Sequence, residues 1–237
     1  LQNQKFTNRT LNAELLALYN SQFGDFDVNA TLGGNIFKVN NKTDIFTGTD
    51  QQMKDIIAIM NYAEQSIQQN TYKKQINSIF GSASVGYQHT YYLEATVRGD
   101  KSSTLPINNN VYIYPSFSGS VVFSEFIKNK SLINYGKIRA SWAQVGSDTD
   151  PYQLALNYTT GKYSYGGYVI GMINNNTQPN KDLKPTRTNS FELGLEMKFF
   201  KGRLGLDVTY YNQLSKDQII GLASSSTSGY NYRLINA

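Results

Sequence analysis

Cysteine is absent from the 237 residues, and histidine occurs once, as His89. The first absence excludes a disulfide-stapled fold, a thiolate metal cluster and a thiol nucleophile. The second excludes a metal site built on two imidazoles. Charge is sparse: 22 Lys+Arg and 17 Asp+Glu make up 16% of the chain, and 22 − 17 leaves a net charge of +5. The excess is scattered, with no basic stripe of the kind that tracks a nucleic acid. No phosphate-cradling glycine loop occurs. No run of 18 apolar residues is present, so no membrane-crossing helix is expected. A β-barrel stays open, because it hides its apolar surface in alternation. Aromatic side chains, by contrast, are plentiful, with 18 Tyr and 12 Phe, which excludes simple disorder. The sequence starts at Leu1 and stops at Ala237 inside an alternating run, so an internal segment of a longer polypeptide is expected.

The dominant signal is a period of two, the repeat of a strand with one apolar face. It runs through Leu11-Ala13-Leu15-Ala17-Tyr19, Val28-Ala30-Leu32-Gly34-Ile36, Ile79-Gly81-Ala83-Val85-Tyr87 and Tyr91-Leu93-Ala95-Val97. It returns in Ile113-Phe117-Gly119-Val121-Phe123, Ile138-Ala140-Trp142, Phe191-Leu193-Leu195-Met197-Phe199 and Leu204-Leu206-Val208-Tyr210. The apolar phase of these eight strands holds no Asp, Glu, Lys or Arg. The intervening phase holds Glu14, Asp27, Glu94, Arg98, Lys137, Arg139, Glu192, Glu196, Lys198, Arg203 and Asp207. Ionic groups on that face need water or partners, which a wet or plugged lumen supplies. The expected fold is therefore all-β: an antiparallel transmembrane β-barrel segment of eight to nine strands, the ninth starting within 229–237, with 1–237 forming part of one domain.

Connection lengths alternate. Short ones are expected near 20–27, 88–90, 124–135 and 200–203, and long ones over 38–72, 99–111, 148–187 and 216–230. Barrels of the outer membrane have short periplasmic turns and longer extracellular loops. Tyr19, Phe23, Tyr87, Tyr91, Phe123, Phe126, Phe199 and Phe200 all fall at the short-turn end, where an interfacial girdle belongs. Within 38–72, Thr49-Asp50 followed by Met53, Ile56, Ile57 and Met60 fits a short amphipathic helix as well as it fits an irregular loop.

No catalytic constellation is expected. His89 lies in a short turn, away from any serine cluster. Glu192 and Glu196 share a face, but four residues of strand hold them about 13 Å apart, too far for a glycosidase pair on their own. Asp148 and Asp150 have the spacing of a calcium loop without its remaining ligands, so a capped turn is the default and no metal site is assigned. The polar residues Glu94, Arg98, Arg139, Glu192, Glu196 and Asp207 are expected to face the lumen. Tyr152, Tyr158, Tyr163, Tyr165 and Tyr168, interleaved with glycines in 148–187, are candidates for contact with a sugar, a peptide or a protein lid.

Several motifs resemble one family in series. Tyr92-Leu-Glu-Ala-Thr-Val-Arg-Gly-Asp-Lys-Ser-Ser103 is similar to the LxATxRxDGSS strand and loop of SusC/RagA-type TonB-dependent outer-membrane transporters, departing from it at Gly99-Asp100-Lys101. Tyr114-Pro-Ser-Phe-Ser118, Phe123-Ser-Glu125, Gly136-Lys-Ile-Arg-Ala-Ser-Trp-Ala-Gln-Val-Gly146, Asn180-Lys-Asp-Leu-Lys-Pro185, Arg203 to Asn212 and Ser224 to Ala237 resemble further segments of that family in the expected order. The resemblance implies a roughly 22-stranded barrel, with the plug and TonB box outside this sequence. It also implies import of oligosaccharides or peptides, coupling to TonB through the plug, and a SusD-like surface lipoprotein as lid. Neither enzymatic activity nor a cofactor is implied. Contacts with outer-membrane lipid and lipopolysaccharide are expected, and none with nucleic acid. The alternative is a passive outer-membrane channel or structural barrel without TonB coupling. A soluble β-sandwich or an outer-membrane hydrolase is a weaker fit.

Overall fold

The computed structural model describes residues 1–128, 132–156, 158–173 and 176–237, and the side chains of these except 158–164, 172–173 and 226. Eight strands form one antiparallel sheet: β1 (Gln2–Phe23), β2 (Phe26–Gln51), β3 (Tyr62–Tyr87), β4 (Tyr91–Ser102), β5 (Val111–Val121), β6 (Ile133–Ser147), β10 (Thr186–Phe199) and β11 (Leu204–Lys216). They follow one another as neighbours in chain order, and the sheet is curled. Between β6 and β10 lie the hairpin β7 (Tyr158–Tyr165) and β8 (Tyr168–Ile173) and the short β9 (Thr177–Gln178). β12 (Ile219–Ala223) and β13 (Tyr232–Asn236) form a small sheet with β9.

Register explains how the alternation becomes a surface. Paired residues lie on the same face, so a one-residue slip would send every side chain to the other side. Ala17 pairs with Leu32, Leu32 with Gly81, Gly81 with Val97, and Val97 with Pro115. Farther round, Phe117 meets Trp142, Trp142 meets Phe191, and Leu193 meets Tyr210. Every apolar phase thus lands on one continuous face. Leu15, Leu32, Ile79, Leu93 and Val208 on it are exposed. The conventional core is correspondingly small, because this wall has a single layer of strands. Pro115, which has no N–H to donate, sits where pairing of β5 to β6 stops, since that ladder starts at Ser116.

The short turns are tight. Gly24 in the Phe23–Phe26 connection has φ +59°, and Gly202 in the 200–203 turn has φ +80°, a conformation glycine adopts without strain. His89 sits in the 88–90 turn, itself at φ +50°, with Nδ1 3.4 Å from Asp27 Oδ2. Rings gather at this end: Phe26–Tyr87 at 4.6 Å between centroids, Tyr87–Tyr91 at 6.3 Å and Tyr91–Phe126 at 6.0 Å.

Four sequence expectations differ from the fold. The connection expected over 38–72 is mostly strand: β2 continues to Gln51 and β3 begins at Tyr62, so β1–β3 rise as a tall polar ribbon. The helix considered after Thr49-Asp50 is absent. Only a 3-10 turn at Ile59–Asn61 forms, with Met53, Ile57 and Met60 exposed at the ribbon's tip. Asn61 closes that tip by donating to the Met53 and Ile56 carbonyls at 2.6 and 2.8 Å, a local bonding pattern that competes with helix. Phe123 leaves β5 for a 3-10 turn at Phe123–Phe126, and its ring covers Gly136, where a Cβ would lie 2.3 Å from it. Finally, the strand begun after 229 does not become the ninth of the main sheet. β13 pairs with β12 and β9, held by Asn236, which accepts from Lys184 N at 2.9 Å and donates to Asp217 O at 2.8 Å.

Candidate functional site

The face opposite the apolar one carries the polar chemistry. In β4, Glu94 is flanked by Ser84 and Ser118, and Arg98 by Phe80 and Tyr114. Arg139 is flanked by Ser120 and Gly194, Glu192 by Ser141 and Tyr211, and Glu196 by Lys137 and Asp207. All six polar residues expected on one face therefore share it. Toward the short turns, this face lines a hollow of about 490 Å³ that includes Asp27, Asn29, Glu94, Lys137, Arg139 and Glu192.

Arg139 organises the rim of the hollow. Its Nη2 donates to Asp207 Oδ1 at 2.9 Å and to Thr209 Oγ1 at 2.8 Å. Gly194 makes this possible, because the guanidinium lies flat across it: a Cβ there would be 2.3 Å from Arg139 Nε. Glu196 is 3.8 Å from Lys198 Nζ. Glu94 and Glu192 are exposed and make no ion pair among the described residues, so the hollow offers two free carboxylates to a partner.

Toward the tall end, the same face closes into a buried polar knot that sequence reasoning did not find. Asp148 receives Lys74 Nζ at 2.6 Å, the Ser102 hydroxyl at 2.5 Å and the Thr104 hydroxyl at 3.1 Å. Beside it, Asp100 accepts from Arg98 Nε at 2.9 Å and from the Tyr114 hydroxyl, while Arg98 Nη2 also donates to Ser78 at 2.9 Å. Ser102, Thr104 and Asp100 are buried. Buried charges persist when paired and hydrogen-bonded, and both carboxylates are. Asp148 thus spends its oxygens on a lysine and two hydroxyls. No cluster of three or more potential metal ligands occurs among the described residues. Asp150 accepts from Tyr72 OH at 3.3 Å. There, outside the apolar band, burial and the nearby carboxylate push the Tyr72 phenol above its usual range. The only signal for the knot was the Asp100-Lys-Ser-Ser103 stretch of the family motif; its partners Lys74 and Asp148 are remote in sequence.

The loop tyrosines divide. Tyr165 and Tyr168 pair across the Gly166-Gly167 turn at the tip of the β7–β8 hairpin and are 82% and 81% exposed. Tyr152 is exposed, at φ +67°. The side chains of Tyr158 and Tyr163 lie outside the described residues.

A family described as TonB dependent receptor-like, beta-barrel matches residues 1–237. The chain belongs to this family. Among curated relatives, the TonB-dependent receptor P26 of Formosa agariphila is 30% identical over 170 residues, covering 68% of this chain and 17% of that protein. The TonB-dependent receptor P3 of the same organism is 24% identical over 237 residues, covering 97% and 24%. The RagAB peptide transporter superposes with a TM-score of 0.91 at 18% identity, over 99% of this chain and 27% of that one. The chain thus spans a quarter or less of the curated relatives' length, and the resemblance drawn from Tyr92–Ser103 and the later motifs is borne out by family and fold alike. The sheet is a stretch of TonB-dependent barrel wall.

Proposed function

We propose that this chain forms part of the wall of a TonB-dependent transporter in a Gram-negative outer membrane, importing oligosaccharides or peptides with a SusD-like surface lipoprotein as lid. The carrying observation is the two-sided sheet: a continuous uncharged band across eight strands on one face and an opposite face lined with paired and free ions. Lipid suits the first face, and a wet lumen holding a plug suits the second. Glu94 and Glu192 are the groups we assign to plug contact.

The substrate class we assign is supported by family membership and by a fold shared with a peptide transporter. The lid is supported by the apolar tip of the ribbon, where Met53, Ile57 and Met60 stand in solvent, and by the exposed pair Tyr165 and Tyr168. Rings with a polar tip suit stacking on sugars or packing on peptide side chains. The test is uptake of labelled peptides and oligosaccharides by cells carrying the full-length protein, with and without TonB. Uptake that requires both supports the assignment. Uptake indifferent to TonB returns the chain to a passive channel, and no uptake of either class removes the transport reading.

A further inference from the structure

We propose that the apolar face of the wall carries, just beyond its apolar band, a binding site for the phosphate groups of a phosphorylated glycolipid of the outer leaflet, lipopolysaccharide. The inference rests on the membrane orientation proposed above.

The site is a depression of about 280 Å³ on the outward face of β1–β3. Two adjacent rungs build it, Arg9–Asn40–Lys73 and Thr7–Lys42–Thr71, and Gln69 of the rung beyond them closes its edge. Three cations with hydroxyl and amide groups line it, and no carboxylate does. Such a set matches a phosphate, whose charge and acceptor oxygens need cations and donors together. Arg9 and Lys73 are exposed and make no ion pair among the described residues. The nearest acid on this face, Asp44, shares its rung with Gln69 at the edge of the depression, where it pairs with Lys42 at 3.1 Å and accepts from Gln69 at 2.8 Å, so Arg9 and Lys73 are the cations left uncompensated.

Depth agrees with chemistry. The next rung toward the turns holds Leu11 and Lys38, and the one after it Ala13 and Ile36, where the apolar band begins. Arg9 and Lys73 lie four residues, about 13 Å of tilted strand, beyond the start of that band, so acyl chains on the band would place a headgroup phosphate at their level. The opposite end of the same face carries Tyr19, Phe23, Phe26, Tyr87 and Tyr91 instead, and its strand residues include no lysine or arginine. One end of the wall is built for an anionic leaflet and the other for a neutral interface.

The test uses the full-length protein, stripped of lipid in detergent and titrated with bisphosphorylated lipid A, with dephosphorylated lipid A and inorganic phosphate as further arms. Binding is read by native mass spectrometry. Arg9→Gln with Lys73→Gln should weaken bisphosphorylated lipid A by roughly 10- to 30-fold. Arg9→Lys with Lys73→Arg should retain it, and Lys128→Gln at the short-turn end should leave it unchanged. Equal binding by the glutamine double variant, or undiminished binding of dephosphorylated lipid A, overturns the site. Displacement of lipid A by micromolar inorganic phosphate assigns the depression to the free anion and overturns the glycolipid. A fluorophore on Ile79→Cys separates this from the reading beneath it. Quenching by brominated acyl chains with no loss in the double variant sinks only the glycolipid site, whereas no quenching sinks the membrane orientation.

Discussion

Leu32 and Asn29 stand three residues apart on β2 and point to opposite faces of the sheet. Leu32 sits among Ala17 and Gly81 on the uncharged face, while Asn29 lines the hollow with Asp27, Glu94 and Arg139. Both are exposed on this stretch of wall, so burial does not tell them apart. What separates them is the parity of the strand and, on the transporter reading proposed above, the medium each face meets. In a single-layered sheet the core lies outside the protein, and a substitution is judged by which side it falls on.

The largest effect comes from crossing that divide. Arginine at the centre of the apolar band, as Leu32→Arg, should cost about 2–4 kcal/mol of folding into a bilayer. Arginine as Asn29→Arg enters an open polar hollow lined by acids and bases together and should change stability by less than about 1 kcal/mol. The folded fraction of full-length protein in lipid vesicles checks both. Equal losses would mean that the two faces do not see different media.

Next is the contrast within the polar face, between the closed knot and the open hollow. Asp148→Ala leaves the Lys74 ammonium and two hydroxyls without their acceptor in a mostly buried setting, and should cost about 2–3 kcal/mol. Glu94→Gln in the hollow removes an exposed, unpaired charge and should alter stability by less than about 0.5 kcal/mol. Denaturant midpoints of the two variants should differ accordingly. Coincident midpoints would show that the knot is as solvated as the hollow.

These contrasts also show what the sequence could disclose. The apolar band was legible because lipid demands uninterrupted apolarity on one parity, and Phe191-Leu193-Leu195-Met197 can satisfy that demand in only one phase. The continuation of β2 and β3 to Gln51 and Tyr62 was not legible, because Asn40-Asn41-Lys42-Thr43-Asp44 is wetted on both faces and loses its period. Sites behave likewise. Parity alone placed Glu94, Arg98, Arg139, Glu192, Glu196 and Asp207 on one face of the sheet, whereas Lys74 and Asp148, 74 residues apart, meet only through the order of the strands. The excursion of β13 into a separate sheet hangs on Asn236, whose role no local pattern signals.

A smaller test concerns how Arg139 reaches across the hollow. Alanine at Gly194 would collide with the guanidinium, a flexible group that can turn aside at a rotamer cost of about 1 kcal/mol. Gly194→Ala should therefore spare the fold but remove the Arg139–Asp207 bond. Combining it with Asp207→Asn should then add almost nothing, because the partner has already been lost. A fully additive double variant would show that Arg139 holds Asp207 by another route.

The smallest effect belongs to the tall ribbon, which lies beyond the apolar band and has no buried core. Lys42 and Asp44 form an ion pair at 3.1 Å, with the lysine side chain 42% exposed. Water screens such a pair and the long side chain loses freedom in making it, so Lys42→Ala should cost no more than about 0.5 kcal/mol in detergent. In vesicles containing lipopolysaccharide the same substitution removes one of three cations from the phosphate depression, and the cost should rise. Thermal unfolding measured in both settings isolates the difference. An identical small shift in each would mean that the outward cations of the ribbon meet only water, and that the wall distinguishes two media rather than three.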